Sequence, residues 1–402
     1  MMGTASTQKD KMVKMKAAIR TWLRTTGFEA FVNTIEKQII GQKELRSLLF
    51  IIYNYLECIV YGRPIKHNVI LAGPSGCGKT ELFRALREYF SKEIGLSVTC
   101  SDLSNITSTG FKGAEPNSIL QPYASGDNCC GYGIIFLDEF DKRLIPQYAG
   151  SGSNQSNVSV EVQNSLLKIV EGANVTFDKS ASVDTENLCF IAMGSFAYVR
   201  KKRYEEEKVT SPIGFSRNEE RDEIEKRKDP YLPIEKKDIT ENGATIELMA
   251  RFPYVVNFSP LQEDALVTLI DKVRKDVEKT LVRAEIILEQ PMIDFLKENC
   301  KTEYGVRHVD ELVRDRAIRA YMEAMSEQAE MFKKHILLIT LSEENSYDIS
   351  FRKMTKEEER LYDASVPDDI WLEGELADEF VEIDAMIHDG IKNQRFERLH
   401  LQ

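Results

Sequence analysis

Apolar and amphipathic segments alternate along the first 260 residues of the chain. Residues 43–59 are amphipathic with a helical period and residues 68–72 form a short apolar run, so we predict a helix followed by a buried strand. The pattern then repeats and predicts further helices and buried strands, at 79–95, 97–100, 133–138, 160–171, 188–193 and 254–258. Strands that alternate with helices form parallel sheets covered on both faces, so we predict an α/β fold.

The rest of the chain predicts a smaller, mostly helical α+β domain, with helices at 261–281, 290–300 and 306–325 and a strand at 335–341. We therefore expect four parts: an N-terminal helical extension (1–35), a large domain (36–258), a small domain (259–350) and an acidic tail (351–402). Since the extension has apolar residues at helical spacing, its apolar face should pack on the large domain or on a neighbouring subunit. The tail also carries apolar residues that could form a docking helix.

Two segments predict long loops. Residues 146–160 are rich in Gly, Ser and Asn, and residues 200–238 are almost entirely charged, so the second should be mobile and solvated. An apolar island, Ile213-Gly214-Phe215, interrupts that charge. An exposed aliphatic and aromatic pair in a polar loop is typical of a docking peptide, although it could equally anchor the loop to its own domain.

The segment after the first predicted strand matches the phosphate-binding pattern G-x-x-x-x-G-K-[ST]. Its glycines allow backbone N–H groups to point at phosphate oxygens, and the following helix adds its positive N-terminal end. Lys79 would reach the β- and γ-phosphates, and the Thr80 hydroxyl would bind Mg²⁺. A strand before and a helix after favour this function over a chance glycine turn. The predicted nucleotide-binding residues are Gly73, Pro74, Ser75, Gly76, Cys77, Gly78, Lys79, Thr80 and Glu81.

A second motif, 133–141, is a buried strand that ends in acidic residues. Asp138 could hold Mg²⁺ through water, and Glu139 could polarise the water that attacks the γ-phosphate. A strand that ends in a solvated acidic turn is common, but a phosphate-binding loop about 60 residues upstream favours the catalytic function.

Composition narrows the classes of partner. The net charge of −12 argues against nucleic acid as the main partner. Seven cysteines without a C-x-x-C pair argue against a zinc ribbon and fit a reducing cytoplasm. No apolar run is long enough for a transmembrane helix, and the first 16 residues lack the apolar core of a signal peptide, so we expect a cytoplasmic protein.

The order of motifs resembles that of the AAA+ ATPases: the phosphate-binding loop, the acidic strand, Arg251 at a helix end, and Arg307 at the start of a later helix. From about residue 36 to 345 the chain resembles ClpX, the unfoldase of the Clp protease. The resemblance implies ATP and Mg²⁺ as cofactors and a homo-hexamer. Arg251 would then act on the nucleotide of a neighbouring subunit, and Arg307 would couple hydrolysis to movement of the small domain.

The same resemblance assigns further sites. Ile39 and Ile40, in the sequence Ile-Ile-Gly-Gln, would cup the adenine. Residues 149–160 would form a second pore loop, ahead of a helix that resembles the family's. The first pore loop would be Gly110, Phe111, Lys112 and Gly113, although from the sequence alone an ordinary turn with an inward phenylalanine is favoured there. The 213–215 island is identical to the tripeptide with which the family docks on the ClpP peptidase ring.

The sequence differs from ClpX at three places, and these differences predict a different choice of substrates. The chain has no cysteines for an N-terminal zinc-binding domain, Lys112 stands where valine is common, and 177–184 replaces a basic entrance loop. The sensor-1 position falls on Met193 or Ser195. The expected function is an ATP-driven protein unfoldase that delivers polypeptides to a ClpP-like peptidase. The alternatives are a stand-alone protein-remodelling ATPase and, less favoured, a nucleic-acid motor.

Overall fold

The computed structural model describes residues 2–65, 67–106, 115–124, 131–149, 156–177, 181–202, 233–300, 305–332, 334–343 and 346–361. The chain separates into two compact units. The first comprises 1–277 with 290–315, and the second comprises 278–289 with the described residues from 316 onward.

The first unit is built on a parallel five-stranded sheet, as the sequence predicts. Its strands are β1 (Val69–Ala72), β2 (Val98–Asp102), β3 (Gly133–Asp138), β8 (Leu188–Gly194) and β9 (Tyr254–Asn257). They are arranged in the order β2-β3-β8-β1-β9. All seven residues of β8 are buried, which matches a central strand that is covered on both faces.

Helices precede, connect and follow these strands along the chain. They are α1 (Met2–Thr25), α2 (Gly27–Glu36), α3 (Leu45–Tyr61), α4 (Lys79–Glu93), α5 (Gln121–Ala124), α6 (Val158–Val170), α7 (Lys236–Glu241), α8 (Ile246–Ala250), α9 (Glu263–Glu278) and α10 (Gln290–Cys300). Short 3-10 helices occur at Leu103–Asn105, Pro116–Leu120 and Phe140–Arg143.

Two hydrophobic cores cover the two faces of the sheet. Successive side chains of β1 show the division, because Val69 and Leu71 belong to the core under α1–α4, whereas Ile70 and Ala72 belong to the core under α5–α8. Neighbouring side chains on a strand point to opposite faces, so a strand buried on both faces must be apolar throughout. The continuous apolar runs in the sequence therefore have a direct structural cause.

The N-terminal helices pack into the first of these cores. Trp22 of α1 is 3% exposed, its Nε1 donates a hydrogen bond to the Tyr89 hydroxyl (3.1 Å), and its ring meets Phe31 and Phe90 edge-on. Of the two locations expected for the apolar face of residues 1–35, the structure therefore shows packing on the body of the same chain.

Replacing Trp22 with alanine is expected to lower the free energy of unfolding by about 3–5 kcal/mol, because a large buried side chain is lost and a cavity remains. Chemical denaturation of the first unit's transition would measure this. Val13→Ala on the same helix is the control, since Val13 is 68% exposed and its truncation should change stability by less than about 0.5 kcal/mol. Equal stabilities for the two variants would show that α1 is not part of the core.

The second unit contains a three-stranded sheet. β10 (Ala284–Leu288) pairs parallel with β11 (His335–Glu343), and β12 (Ser346–Lys353) pairs antiparallel with β11. Helix α11 (Gly305–Glu327) has its residues up to 315 in the first unit and the remainder in the second. The second unit also contains α12 (Ala329–Phe332) and α13 (Lys356–Leu361).

The sequence predicted only one of these three strands, β11. It predicted helices at 261–281 and 290–300 with no strand between them, and it therefore missed β10. A five-residue apolar run between two amphipathic helices does not distinguish a strand from a helix by periodicity. β12 largely alternates exposed and half-buried residues, as expected for a strand with one covered face. Its sequence contains no apolar run, so the search for apolar runs did not predict it.

Several predicted loops also differ from expectation. Within 146–160, β4 (Tyr148–Ala149) and β5 (Ser156–Asn157) form a short antiparallel pair. The predicted helix then begins at Val158, because the Asn157 side chain accepts a hydrogen bond from Ser159 N. The segment 177–184, which stands in place of the basic entrance loop, contains β7 (Ala181–Asp184), and β7 pairs antiparallel with β6 (Asn174–Phe177).

The proposed pore loop 110–113, residues 203–232 of the charged loop with the 213–215 island, and the tail from residue 362 lie outside the described residues. Among the described helices, none combines the length and the apolar character needed to cross a bilayer.

Candidate nucleotide site

The phosphate-binding loop joins β1 to α4 at the carboxyl edge of the sheet. Gly76 and Gly78 have φ of 76° and 97°, a left-handed conformation that favours glycine. A Cβ on Gly73 would lie 2.8 Å from Cys77 Sγ and 2.9 Å from Phe258 Cβ, so only glycine fits that close approach. The loop therefore has the tight curl that phosphate binding requires.

Lys79 begins α4 and its side chain folds back over the loop. Its ammonium donates hydrogen bonds to the carbonyl oxygens of Gly73 (2.7 Å) and Pro74 (2.8 Å). Burial raises the pKa of the adjacent Cys77 thiol, which keeps that side chain neutral beside the ammonium. The positive charge of Lys79 is thus held at the loop, where an anionic phosphate would need it.

A buried glutamine braces the loop from behind. Gln42 Nε2 donates to the carbonyl oxygens of Cys77 (3.0 Å) and Ser259 (2.9 Å), and Gln42 Oε1 accepts from Ser259 N (3.0 Å). Ile39 is buried against the loop, 3.9 Å from where a Cβ of Gly78 would lie, and Ile40 is half-buried. The segment predicted to cup the adenine therefore lies beside the phosphate-binding loop.

The two predicted acidic residues follow β3. Asp138 Oδ1 accepts a hydrogen bond from Glu139 N (2.9 Å). Burial raises the pKa of the Asp138 carboxyl, while that hydrogen bond and the Lys79 charge act in the opposite direction. The loop after β1 and Asp138 at the end of β3 lie at the same carboxyl edge of the sheet, with parallel β8 between their strands.

Glu139 has an unusual backbone. Its φ is 55°, which is uncommon for a residue other than glycine and often marks a functional site. The side chain is 36% exposed, and Lys142 Nζ lies 2.7 Å from its Oε1. Glu139 is therefore held at the end of the strand with its carboxylate accessible. Its ion pair with Lys142 was not predicted from the sequence.

The end of β8 fills the gap between the two motifs. Gly194 O accepts a hydrogen bond from Gly73 N (3.1 Å), and a Cβ on Gly194 would lie 2.6 Å from Asp141 Oδ1. The buried Asp141 accepts hydrogen bonds from Ser195 Oγ (3.1 Å) and Phe196 N (2.7 Å). Of the two sensor-1 candidates, Met193 is buried in the α1–α4 core and Ser195 is the polar group at this strand end.

The start of α4 also has long-range contacts. Thr80 is half-buried in its first turn. Glu81 Oε1 lies 3.5 Å from Lys272 Nζ of α9, and the same ammonium donates to Gln38 O (3.3 Å), next to the segment that is predicted to cup the adenine. α9 therefore closes the side of the site between the phosphate-binding helix and residues 38–40.

The two predicted arginines lie elsewhere. Arg251 follows α8 and forms an ion pair with Glu171 at the end of α6. Its carbonyl oxygen accepts a hydrogen bond from Asn68 before β1, so Arg251 lies at the amino edge of the sheet, whereas Lys79 follows the carboxyl edge. Arg307 lies in the first turn of α11, and its side chain is outside the described part of the chain.

The site fits Mg²⁺-nucleotide in two respects. The loop is a cradle that a Cβ at residue 73 would fill. Mg²⁺ characteristically uses one or two protein oxygens together with substrate phosphates, which matches Thr80 and Asp138.

The sequence matches the family model described as AAA domain (Cdc48 subfamily) over residues 65–255. Relatives include the ATP-dependent Clp protease ATP-binding subunit ClpX of Azotobacter vinelandii, which is 30% identical over 61% of this chain and 60% of its own length. The subunit of the same name from Treponema denticola is 27% identical over 72% of this chain and 73% of its own length. These matches support a ClpX-like AAA+ protein.

The matches confirm the predicted fold class and indicate an ATPase, as the sequence predicted. The ClpX subunit of Borrelia duttonii is also similar, at 29% identity over 70% of this chain. The match covers 60% of the Azotobacter relative, which is less than two thirds of that protein's length.

Proposed function

We propose that this ClpX-like chain is the subunit of a homo-hexameric ATPase that unfolds proteins by threading them through the ring. The observation that carries the proposal is the separation of Arg251 from the nucleotide site of its own chain. Lys79, Asp138 and Glu139 lie at the carboxyl ends of β1 and β3, whereas Arg251 is bonded through its carbonyl oxygen to Asn68 before β1. Its side chain is 45% exposed and pairs with Glu171. An accessible arginine of this kind can complete the site of a neighbouring subunit.

The proposed roles of these residues in nucleotide binding and hydrolysis follow from their positions in the fold. Lys79 and the loop N–H groups bind the phosphates, and Ile39 and Ile40 hold the base. Glu139 orients the attacking water in line with the γ-phosphate, and the neighbour's Arg251 offsets negative charge that develops there. Thr80 and Asp138 would hold Mg²⁺, which supplies charge neutralisation between the β- and γ-phosphates. Arg307 would couple hydrolysis to movement of the small domain, proposed at 259–350.

Phe111, between Gly110 and Gly113, would grip the polypeptide in the pore. An aromatic side chain binds by area and shape and so tolerates varied sequences. Lys112 adds one positive charge to this loop, and residues 149–160 would form a second loop. Free thiols at all described cysteines suit the reducing cytoplasm in which we place the protein.

Replacing Phe111 with alanine is expected to abolish unfolding and to leave ATP hydrolysis within about twofold of the unchanged protein, because the loop touches substrate and not nucleotide. A fluorescent-protein substrate with an unstructured tail would report unfolding, and phosphate release would report hydrolysis. Phe111→Tyr is the control that keeps an aromatic ring. Unfolding by Phe111→Ala at an unchanged rate would remove this loop from the proposed pore.

Deleting 213–215 is expected to leave unfolding intact and to abolish degradation by a ClpP-like peptidase added to the assay. The reason is that an exposed aliphatic and aromatic pair binds an apolar pocket on a partner. Replacing 213–215 with three alanines controls for the changed loop length and should behave in the same way. Unchanged degradation by both variants would assign the island to its own loop as an anchor.

The alternatives predict different outcomes. A stand-alone remodelling ATPase would unfold proteins but would bind no peptidase through 213–215. A nucleic-acid motor would bind DNA or RNA with a steep salt dependence. The net charge of −12 argues against that motor, because phosphate backbones require a basic surface.

A further inference from the structure

Glu171 stands out because it contacts the proposed trans-acting arginine directly. It is the C-terminal cap residue of α6, and one carboxylate oxygen pairs with Arg251 Nη2. Both side chains are nearly half-exposed, at 47% and 45%. The pair thus lies at the surface, where a neighbouring subunit can reach it.

The backbones on either side of this pair are fixed by one buried side chain. Asn68, which precedes β1, donates from Nδ2 to Val170 O (3.4 Å) and to Arg251 O (3.0 Å). Its Oδ1 accepts from Phe190 N of β8 (3.0 Å). The ends of α6 and α8 are therefore attached to the central sheet through the same amide.

A second buried amide joins the same two helices further along. Gln163 in the middle of α6 is fully buried, its Nε2 donates to Gly243 O (3.0 Å), and its Oε1 accepts from Thr245 N (2.8 Å) at the start of α8. Two satisfied buried amides define the spacing of α6 and α8, since displacing either helix would leave buried polar groups unpaired. The backbones that carry Glu171 and Arg251 are therefore held in fixed positions relative to each other.

We propose that Glu171 is a positioning residue that holds the Arg251 side chain ready for the neighbour's nucleotide. The inference rests on the proposed trans action of Arg251. A carboxylate that takes Nη2 leaves other guanidinium N–H donors for a phosphate oxygen. Because the pair is exposed, its attraction is weak enough for Arg251 to remain available. Without Glu171, Arg251 would sample many rotamers, and fewer subunits would have it in place.

The test compares Glu171→Gln with Glu186→Gln in the assembled protein. Glu186 is the matched control because it is an exposed glutamate next to the α6 end, with its Cα 3.3 Å from where a Cβ of Gly172 would lie. Glu171→Gln should lower kcat for ATP hydrolysis about 5–10-fold with KM changed less than about twofold, because an oriented arginine acts on the transition state. Glu186→Gln should leave both constants unchanged.

A double-mutant cycle separates positioning from a general structural role. In the Arg251→Ala background, Glu171→Gln should cause no further loss, since there is no arginine left to orient. An equal loss in both backgrounds, or a kcat equal to that of Glu186→Gln, would overturn the inference. If Arg251→Ala itself leaves kcat unchanged, the proposed action of Arg251 fails first, and the inference about Glu171 fails with it.

Discussion

Replacing Glu139 with glutamine is expected to lower kcat for ATP hydrolysis by about 10²–10⁴-fold while ATP binding stays within about threefold, because the amide cannot accept a proton from the attacking water. Glutamine keeps the size of the side chain, and the φ of 55° and the hydrogen bond from Glu139 N to Asp138 do not depend on the carboxylate. Phosphate release and the binding of a fluorescent ATP analogue would measure the two effects separately.

Two controls make the Glu139 result specific. Lys142→Ala removes the partner of Glu139 and should change kcat by less than about fivefold, since an exposed ion pair contributes little. Lys79→Ala should instead lose nucleotide binding, because it removes the ammonium at the loop. Hydrolysis by Glu139→Gln at near-normal rate would contradict the role assigned to this carboxylate.

Replacing Arg251 with alanine is expected to lower kcat by about 10³-fold or more, because an arginine that reaches the transferring phosphate stabilises its developing charge. Nucleotide binding to a single subunit should be unchanged, since the structure pairs Arg251 with Glu171 and not with its own nucleotide site. Arg46→Ala is the matched control. Arg46 is another exposed arginine that pairs with a glutamate, Glu29, and its loss should be nearly silent.

Mixing two inactive variants tests whether Arg251 acts between subunits. Arg251→Ala subunits keep Glu139, and Glu139→Gln subunits keep Arg251, so a mixed ring contains interfaces with both intact groups. Mixed rings should recover about a quarter of the normal rate if neighbours associate at random and interfaces act independently. Mixed assembly with no recovery would mean that Arg251 acts within its own chain.

The sequence predicted those parts of the site that are local in the chain. Residues 73–80 follow a strand and open a helix, and the positive φ of Gly76 and Gly78 explains why the motif requires glycine. Asp138 ends a continuous apolar run, and it lies at the same edge of the sheet as the loop of Lys79 because the carboxyl ends of parallel strands share one edge. Local pattern and strand direction were enough for these groups.

Contacts between distant residues could not be predicted in this way. Gln42 binds Ser259 across 217 positions, and Glu171 binds Arg251 across 80. No spacing rule relates such pairs, because the fold brings them together through the packing of whole helices. The strand β10 was not predicted for a different reason. Its short apolar run is compatible with a strand or a helix, and only its pairing with β11 decides between them.

The central claim is that ATP drives protein through this ring, and a capture experiment tests it most directly. Immobilised Glu139→Gln with ATP would be exposed to native lysate, beside the double variant with Phe111→Ala. The account predicts that proteins are retained only with ATP and only with Phe111, and that a peptidase ring is retained only when 213–215 is present. Retention of nucleic acid without protein, or of proteins regardless of ATP and Phe111, would contradict it.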